Sequence, residues 1–281
     1  MNSFKVFLLM IVLMFLFVWI GYTVGGQSGM IIAFGLAVVM NFFSYWFSDR
    51  IILKIYHAKR VTEHDHPRLF SIVNRVRTAA MVPMPKVYIV SNKAPNAFAT
   101  GRNAENAAVA VTEGLLEILN DDELEGVLSH EFAHIINKDM LLGTIVATFV
   151  GAIGILASIA RWGAILGGYG RSDNRGGLVG LLATAIVAPL TAILIQAAIS
   201  RRREFKADAV GAKLTGRYRG LSSALKKISS APNRMNLNRK PAAAHLMIVK
   251  PFSGKFVSSL FSTHPPVEKR IEKLNELSQK M

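Results

Sequence analysis

His130-Glu131-Phe132-Ala133-His134 is the stretch on which the reading of this chain turns. Its two histidines are four residues apart, so on a helix both imidazoles share one face, one turn apart. Two nitrogens so placed can grip a single metal ion. Glu131 is offset around the helix and can stand beside the metal without ligating it. There it can take a proton from water whose pKa a zinc ion lowers to about 7, and pass it to a leaving amine. The flanking Val127, Leu128, Phe132, Ile135 and Ile136 are apolar, which puts the histidines at a protected edge rather than on an open surface. Upstream, Asn120-Asp121-Asp122-Glu123 supplies the acidic first turn that starts such a helix.

Working outward, Pro67–Met81 has helical periodicity, and Lys86–Val90, Ala97–Thr100 and Ala107–Thr112 read as short strands with turn residues between them. Glu113–Leu119 reads as a short helix. On the far side of the motif, Glu204–Leu214, Leu221–Ile228 and Val267–Gln279 read as helices, the last entered through Pro265-Pro266. Ala231–Pro241 reads as a polar linker, and Ala244–Val249 as a strand or a membrane-surface contact. The expected fold class is α+β and α-rich, with a small sheet.

The rest of the chain is unusually apolar. Hydrophobic residues make up 51% of its 281 residues, and its mean hydropathy is +0.34. A water-soluble chain of this length cannot bury that much. Val6–Ser48 carries no charge and breaks at Gly25-Gly26-Gln27-Ser28-Gly29, which predicts two transmembrane helices, Val6–Val24 and Met30–Phe47. Met140–Ala160 and Gly176–Ser200 are two further runs, long enough to span the bilayer or to lie buried in it. Four units follow: 1–48, two membrane helices; 49–139, the first part of a catalytic domain; 140–200, an apolar hairpin; 201–281, the second part of that domain. The net charge of +15 sits beside the apolar runs, at Arg50–Arg77 and Arg201–Arg203. That is the positive-inside pattern of cytoplasmic loops and of a surface facing anionic lipid. No nucleic-acid-binding motif accompanies it, so nucleic acid is not an expected partner.

Catalytic zinc usually keeps three protein ligands. With no cysteine in the chain, the candidates are the remaining histidines and, more strongly, Glu204. Glu204 and Asp208 repeat the i, i+4 spacing, so one carboxylate can bind metal while the other orients a ligand histidine. Pairing of Glu204 with neighbouring Arg or Lys remains the alternative. His134 precedes the third apolar run by roughly 9 Å of helix, and Glu204 follows the fourth by roughly 6 Å. An antiparallel hairpin of those runs therefore brings the two half-sites to the same height.

Ser-His-Glu-Phe-Ala-His, a membrane hairpin, Glu-Phe-Lys-Ala-Asp-Ala and Ser-Thr-His-Pro-Pro occur in this order. The combination resembles the HtpX-type membrane proteases, relatives of the CAAX prenyl endopeptidases, over nearly the whole chain. The resemblance implies a zincin-like domain with one Zn2+ on His130, His134 and Glu204, Glu131 as general base, and Asp208 behind a ligand. Pro95–Gly101 resembles the family's substrate-side edge strand, which makes Asn96, Ala97 and Phe98 substrate-binding candidates. His264 matches the histidine of the family's Thr-His-Pro-Pro segment, a donor for a tetrahedral oxyanion. The implied role is quality control of misfolded or damaged membrane proteins, acting on protein or peptide substrates at the cytoplasmic face of a prokaryotic cell membrane. A dedicated CAAX-like processing protease and a non-catalytic membrane scaffold that keeps the zinc fold are the alternatives.

Overall fold

A small sheet and the helix that begins at Asp121 frame the molecule in this computed structural model, which describes residues 2–143, 145, 146, 201–231 and 265–279. The strands are β1 (Lys59–Arg60), β2 (Lys86–Val90), β3 (Ala97–Thr100) and β4 (Ala108–Thr112), in the order β1-β2-β4-β3. β2 runs parallel to β4, and the other two pairings are antiparallel. Every residue of β4 is buried, and its small Ala-Val alternation suits a strand covered on both faces. β2 and β3 have the predicted bounds and β4 starts one residue late. β1 is an addition, since two exposed basic residues carry no strand period.

The helices are α1 (Asn2–Ile55), α2 (Pro67–Ala80), α3 (Glu113–Ile118), α4 (Asp121–Ile136), α5 (Arg201–Thr215), α6 (Tyr218–Ser230) and α7 (Val267–Gln279). Pro67 sits at the start of α2, where its missing N–H costs nothing. α4 opens with a capping box: Asn120 Oδ1 accepts from the Glu123 N–H, and Glu123 accepts from the Asn120 N–H, both at 2.9 Å. α2, α4, α6 and α7 enclose the main core with one face of the sheet. The other face, through Phe98, Ala108 and Ala110, packs on Ile52, Leu53 and Tyr56 at the end of α1.

α1 is not one straight helix: the chain doubles back within it. Asn41 Nδ2 donates to the Met10 carbonyl at 3.3 Å, whereas 31 residues of straight helix would separate them by roughly 46 Å. The reversal falls at Gly26, whose φ of +59° is open to glycine. The predicted pair of apolar helices is thus a hairpin. Its second arm, Gly26–Phe47, is 22 residues long and is the one described helix apolar and long enough to cross a bilayer; Val6–Trp19 is a shorter apolar arm. Phe7, Phe15, Ile32, Phe34 and Phe43 face outward, as a lipid-contacting surface requires. Helix resumes at 140, where Leu141, Leu142 and Ile145 pack on Val6 and Leu13. Most of the 140–160 run, the 176–200 run, the 232–241 linker and 244–249 lie outside the described residues.

α4 and α5 cross in close contact. A Cβ on Gly211 of α5 would stand 2.7 Å from the backbone of Ser129 and His130 on α4, so only glycine admits this approach. At the other end of α4, Glu123 accepts from Ser223 Oγ at 2.6 Å and from Lys227 Nζ at 2.7 Å, tying α4 to α6. Burial pushes the Glu123 pKa up, but the bonds from Lys227, Ser223 and the Asn120 N–H outweigh it and hold the pKa below 4.5. A carboxylate with a depressed folded pKa stabilises the fold above its unfolded value and loses that contribution as pH falls through the folded one. Glu123→Gln is expected to cost on the order of 1–3 kcal/mol at pH 7. It should also shrink the drop in Tm between pH 7 and pH 3; an unchanged drop, read by thermal unfolding at both pH values, would show that Glu123 carries no acid sensitivity.

Candidate metal centre

α4 carries His130, Glu131 and His134; α5, through the Gly211 crossing, lays Glu204 and Asp208 against them. One ligand atom each from His130, His134 and Glu204 lie within 4.8 Å of one another. His130 Nε2 is 3.6 Å from Glu204 Oε2, and His134 Nε2 is 3.6 Å from Glu204 Oε1. The imidazole planes are nearly perpendicular, at 89° with centroids 4.9 Å apart. Both rings therefore aim Nε2 at the same point, from which Glu204 offers an oxygen to each.

The other ring nitrogens face carboxylates. His130 Nδ1 is 2.9 Å from Asp208 Oδ1, and His134 Nδ1 is 3.4 Å from Asp139 Oδ2. A carboxylate at Nδ1 keeps the proton there and leaves the Nε2 lone pair for a metal. At His134 burial opposes protonation. The hydrogen bond to Asp139 and the charges of Glu204 and Glu131 overcome it and raise the pKa to about 9. The pocket is thus built to hold positive charge. Two imidazole nitrogens and one carboxylate, with His130 and Glu204 buried and His134 partly so, match the ligand chemistry of a catalytic zinc site, with a fourth position left over.

Asp208 is buried against its usual inclination. Burial would raise its pKa, but Arg270 and the bond from His130 lower it to about 2. Arg270, from α7, is completely buried and forks onto Asp208 through Nε–Oδ2 at 2.8 Å and Nη2–Oδ1 at 2.6 Å. Its Nη2 lies 3.5 Å from His130 Nδ1, farther than Asp208, so the carboxylate is the partner of that nitrogen. Arg270 and Asp139 went unread in the sequence. The available signals were an arginine four residues before the buried Leu274, on the apolar stripe of α7, and a carboxylate five residues past the second histidine.

Glu131, 6% exposed, accepts at Oε2 from the Ala99 N–H at 2.9 Å. β3 is the outer strand of the sheet, and the Thr112 N–H donates to the Asn96 carbonyl. Antiparallel alternation then turns the backbone of Ala97 and Ala99 away from β4, toward Glu131. The three expected substrate-contact residues, Asn96, Ala97 and Phe98, all have buried side chains, that of Phe98 against the Tyr56 ring at 4.7 Å. What the strand presents near Glu131 is backbone, from Ala97 and Ala99. His264 lies outside the described residues.

Residues 63–278 match the model of Peptidase family M48. The chain is 53% identical over 257 residues to a "Protease HtpX homolog" of Desulfatibacillum aliphaticivorans, covering 91% of this chain and 83% of that one. Its likeness to the protein of the same name from Syntrophobacter fumaroxidans is 50% over 281 residues, covering 98% and 99%. The Pyrococcus furiosus homologue is 53% identical over 275 residues, covering 98% and 95%. Among solved structures, S. mikatae Ste24p shares the fold with a TM-score of 0.51 at 19% identity, over 95% of this chain and 62% of that one. With the sequence match and the convergence of His130, His134 and Glu204 in hand, the chain belongs to peptidase family M48 and is an HtpX-type membrane zinc metalloprotease.

Proposed function

We propose that His130, His134 and Glu204 hold the zinc ion and that Glu131 is the general base of peptide-bond hydrolysis. The single observation that carries this is the convergence of the three ligand atoms within 4.8 Å, with Glu131 on the same helix. Zinc held there supplies a Lewis acid that polarises the scissile carbonyl and acidifies water. An extended substrate pairs with the outer edge of β3 at Ala97 and Ala99, displacing the Ala99 N–H from Glu131. The freed carboxylate takes a proton from the attacking water and returns it to the departing amine. Asp208 fixes the ring of His130, Asp139 that of His134, and Arg270 holds Asp208 ionised. His264, next to the buried Pro265, is the proposed donor to the developing oxyanion.

The same reading extends to the four units 1–48, 49–139, 140–200 and 201–281, with the second and fourth together forming the catalytic domain and the apolar runs lying in the bilayer. The protein is then multi-pass, with its active site at the cytoplasmic face of a prokaryotic membrane, and it degrades misfolded or damaged membrane proteins. The Gly26–Phe47 span and the basic clusters beside the apolar runs support the placement. A site at bilayer height, with a strand edge that pairs with backbone rather than with particular side chains, supports the quality-control role.

Purified wild type in detergent should carry one zinc per chain and cleave casein. Glu131→Gln should keep the metal and lose activity by about 10²–10⁴-fold, while Glu204→Ala should lose the metal; full cleavage by Glu131→Gln would remove the base assignment. Asp208→Asn should weaken zinc binding by roughly 10–100-fold in chelator competition. Arg270→Leu should cost about 3–5 kcal/mol by stranding Asp208, and Arg270→Lys should recover part of the zinc affinity by restoring the charge without the fork. Equal zinc affinity in all three variants would leave the Arg270–Asp208 pair with no part in the site. The chain has no cysteine, so Arg202→Cys gives a single label site. It should react with an impermeant maleimide in inside-out vesicles and not in intact cells; the opposite pattern would invert the topology.

A further inference from the structure

Where the hairpin meets the catalytic domain, a recess of about 450 Å³ opens between the end of the membrane arm and the turn after β3. Arg50, Lys86 and Arg102 line it, with Asp49 as the single carboxylate and Phe42 and Trp46 as apolar wall. Among the described residues none of these three cations makes an ion pair with a carboxylate. Arg102 stacks on Trp46 at 4.3 Å, which fixes the guanidinium while leaving its N–H groups open to an anion. A second recess of about 540 Å³ shares Phe42, Trp46 and Arg102 and runs on along the hairpin past Met10 and Tyr45 to Leu141. Lys138, exposed in the turn after α4, borders it.

Through these shared residues the two recesses read as one groove, with Arg50, Lys86 and Arg102 at one end and a mainly apolar length at the other, bordered by Lys138. Trp46 is the penultimate residue of the Gly26–Phe47 span, so the cationic end stands at the level where indole rings favour the bilayer interface. We infer that this groove binds one anionic phospholipid, its phosphate among Arg50, Lys86 and Arg102 and an acyl chain along Phe42, Tyr45 and Met10. Three cations against one carboxylate select a negative headgroup. A free phosphate would leave the apolar length of the groove uncovered, whereas an acyl chain fills it. Arg102 lies two residues past the end of β3, so the lipid holds the proposed substrate strand at a set height above the hydrocarbon. The inference rests on the bilayer placement of the hairpin and not on the catalytic assignments.

Trp46 reports on the site once Trp19 and Trp162 are replaced by Phe, and zinc content verifies the fold. The zinc-loaded chain is reconstituted into phosphatidylcholine vesicles that contain increasing fractions of brominated phosphatidylglycerol or brominated phosphatidylcholine. Half-maximal quenching of Trp46 is expected at about a fivefold lower mole fraction of the anionic lipid. Arg50→Gln with Lys86→Gln, which spares the Arg102 stack, should bring the two lipids level with zinc content unchanged. Equal quenching in the parent, a preference that survives the double substitution, or its removal by millimolar inorganic phosphate would each overturn the site. The last of these would assign it to free phosphate. Quenching by neither lipid would overturn the bilayer placement as well, while leaving the zinc and caseinolysis results to stand or fall alone.

Discussion

The metal centre exists because α4 and α5 can approach to backbone contact. Gly211 is the point of that approach: any side chain there would collide with the backbone at Ser129 and His130. α4 by itself offers two imidazoles, which would be an incomplete ligand set for zinc. The crossing brings Glu204 under both Nε2 atoms and Asp208 onto His130 Nδ1 at once, because the two carboxylates share one face of α5 as the histidines share one face of α4. Two helical repeats of the same length, laid across one another, thus make both a ligand set and its support.

Electrostatics then decides what can occupy the crossing. Glu131, Glu204, Asp208 and Asp139 surround two histidines with little water to screen them. Four carboxylates in so small a volume repel one another unless positive charge is present. Arg270 neutralises one of them through a fork that uses both oxygens of Asp208. The elevated pKa of His134 expresses the remaining demand, which a divalent cation meets more fully than a proton. Without that arginine Asp208 would be an unpaired buried charge beside His130.

The local parts of this arrangement were legible in the sequence. His130 and His134 announce themselves by spacing, the α4 start by its acidic turn, and the hairpin reversal by the glycines around Gly26. On spacing alone Glu204 was one of two alternatives, because an i, i+4 carboxylate pair is equally consistent with a solvated helix face; the order of motifs along the chain singled it out. Asp139 and Arg270 were illegible for different reasons. Asp139 reaches His134 through the turn in which Lys138 takes a φ of +57°, a conformation that composition does not signal. Arg270 finds Asp208 across 62 residues, and an arginine in an amphipathic helix is ordinarily a surface residue. β1 was missed because a strand of two residues has no period to read. Asn96, Ala97 and Phe98 were named from the likeness of Pro95–Gly101 to an edge strand; only the alternation of the strand in the fold shows that Ala97 and Ala99 turn their backbone outward.

The contacts that carry the sheet also set the site's relation to the membrane arm. Ile52, Leu53 and Tyr56, just beyond the apolar span, pack under β3 and β4, and Phe98 stacks on Tyr56 from the strand that bonds Glu131. From the opposite side, α4 leads through Asp139 into the helix whose Leu141 and Leu142 pack on the first arm of the hairpin. α4 and β3 are therefore each anchored to α1 by a separate apolar cluster, within a few residues of the His130, His134 and Glu204 cluster and of the bond from the Ala99 N–H to Glu131. A hinge between membrane and catalytic parts would have to break both clusters, and no described element offers a linker long enough to act as one.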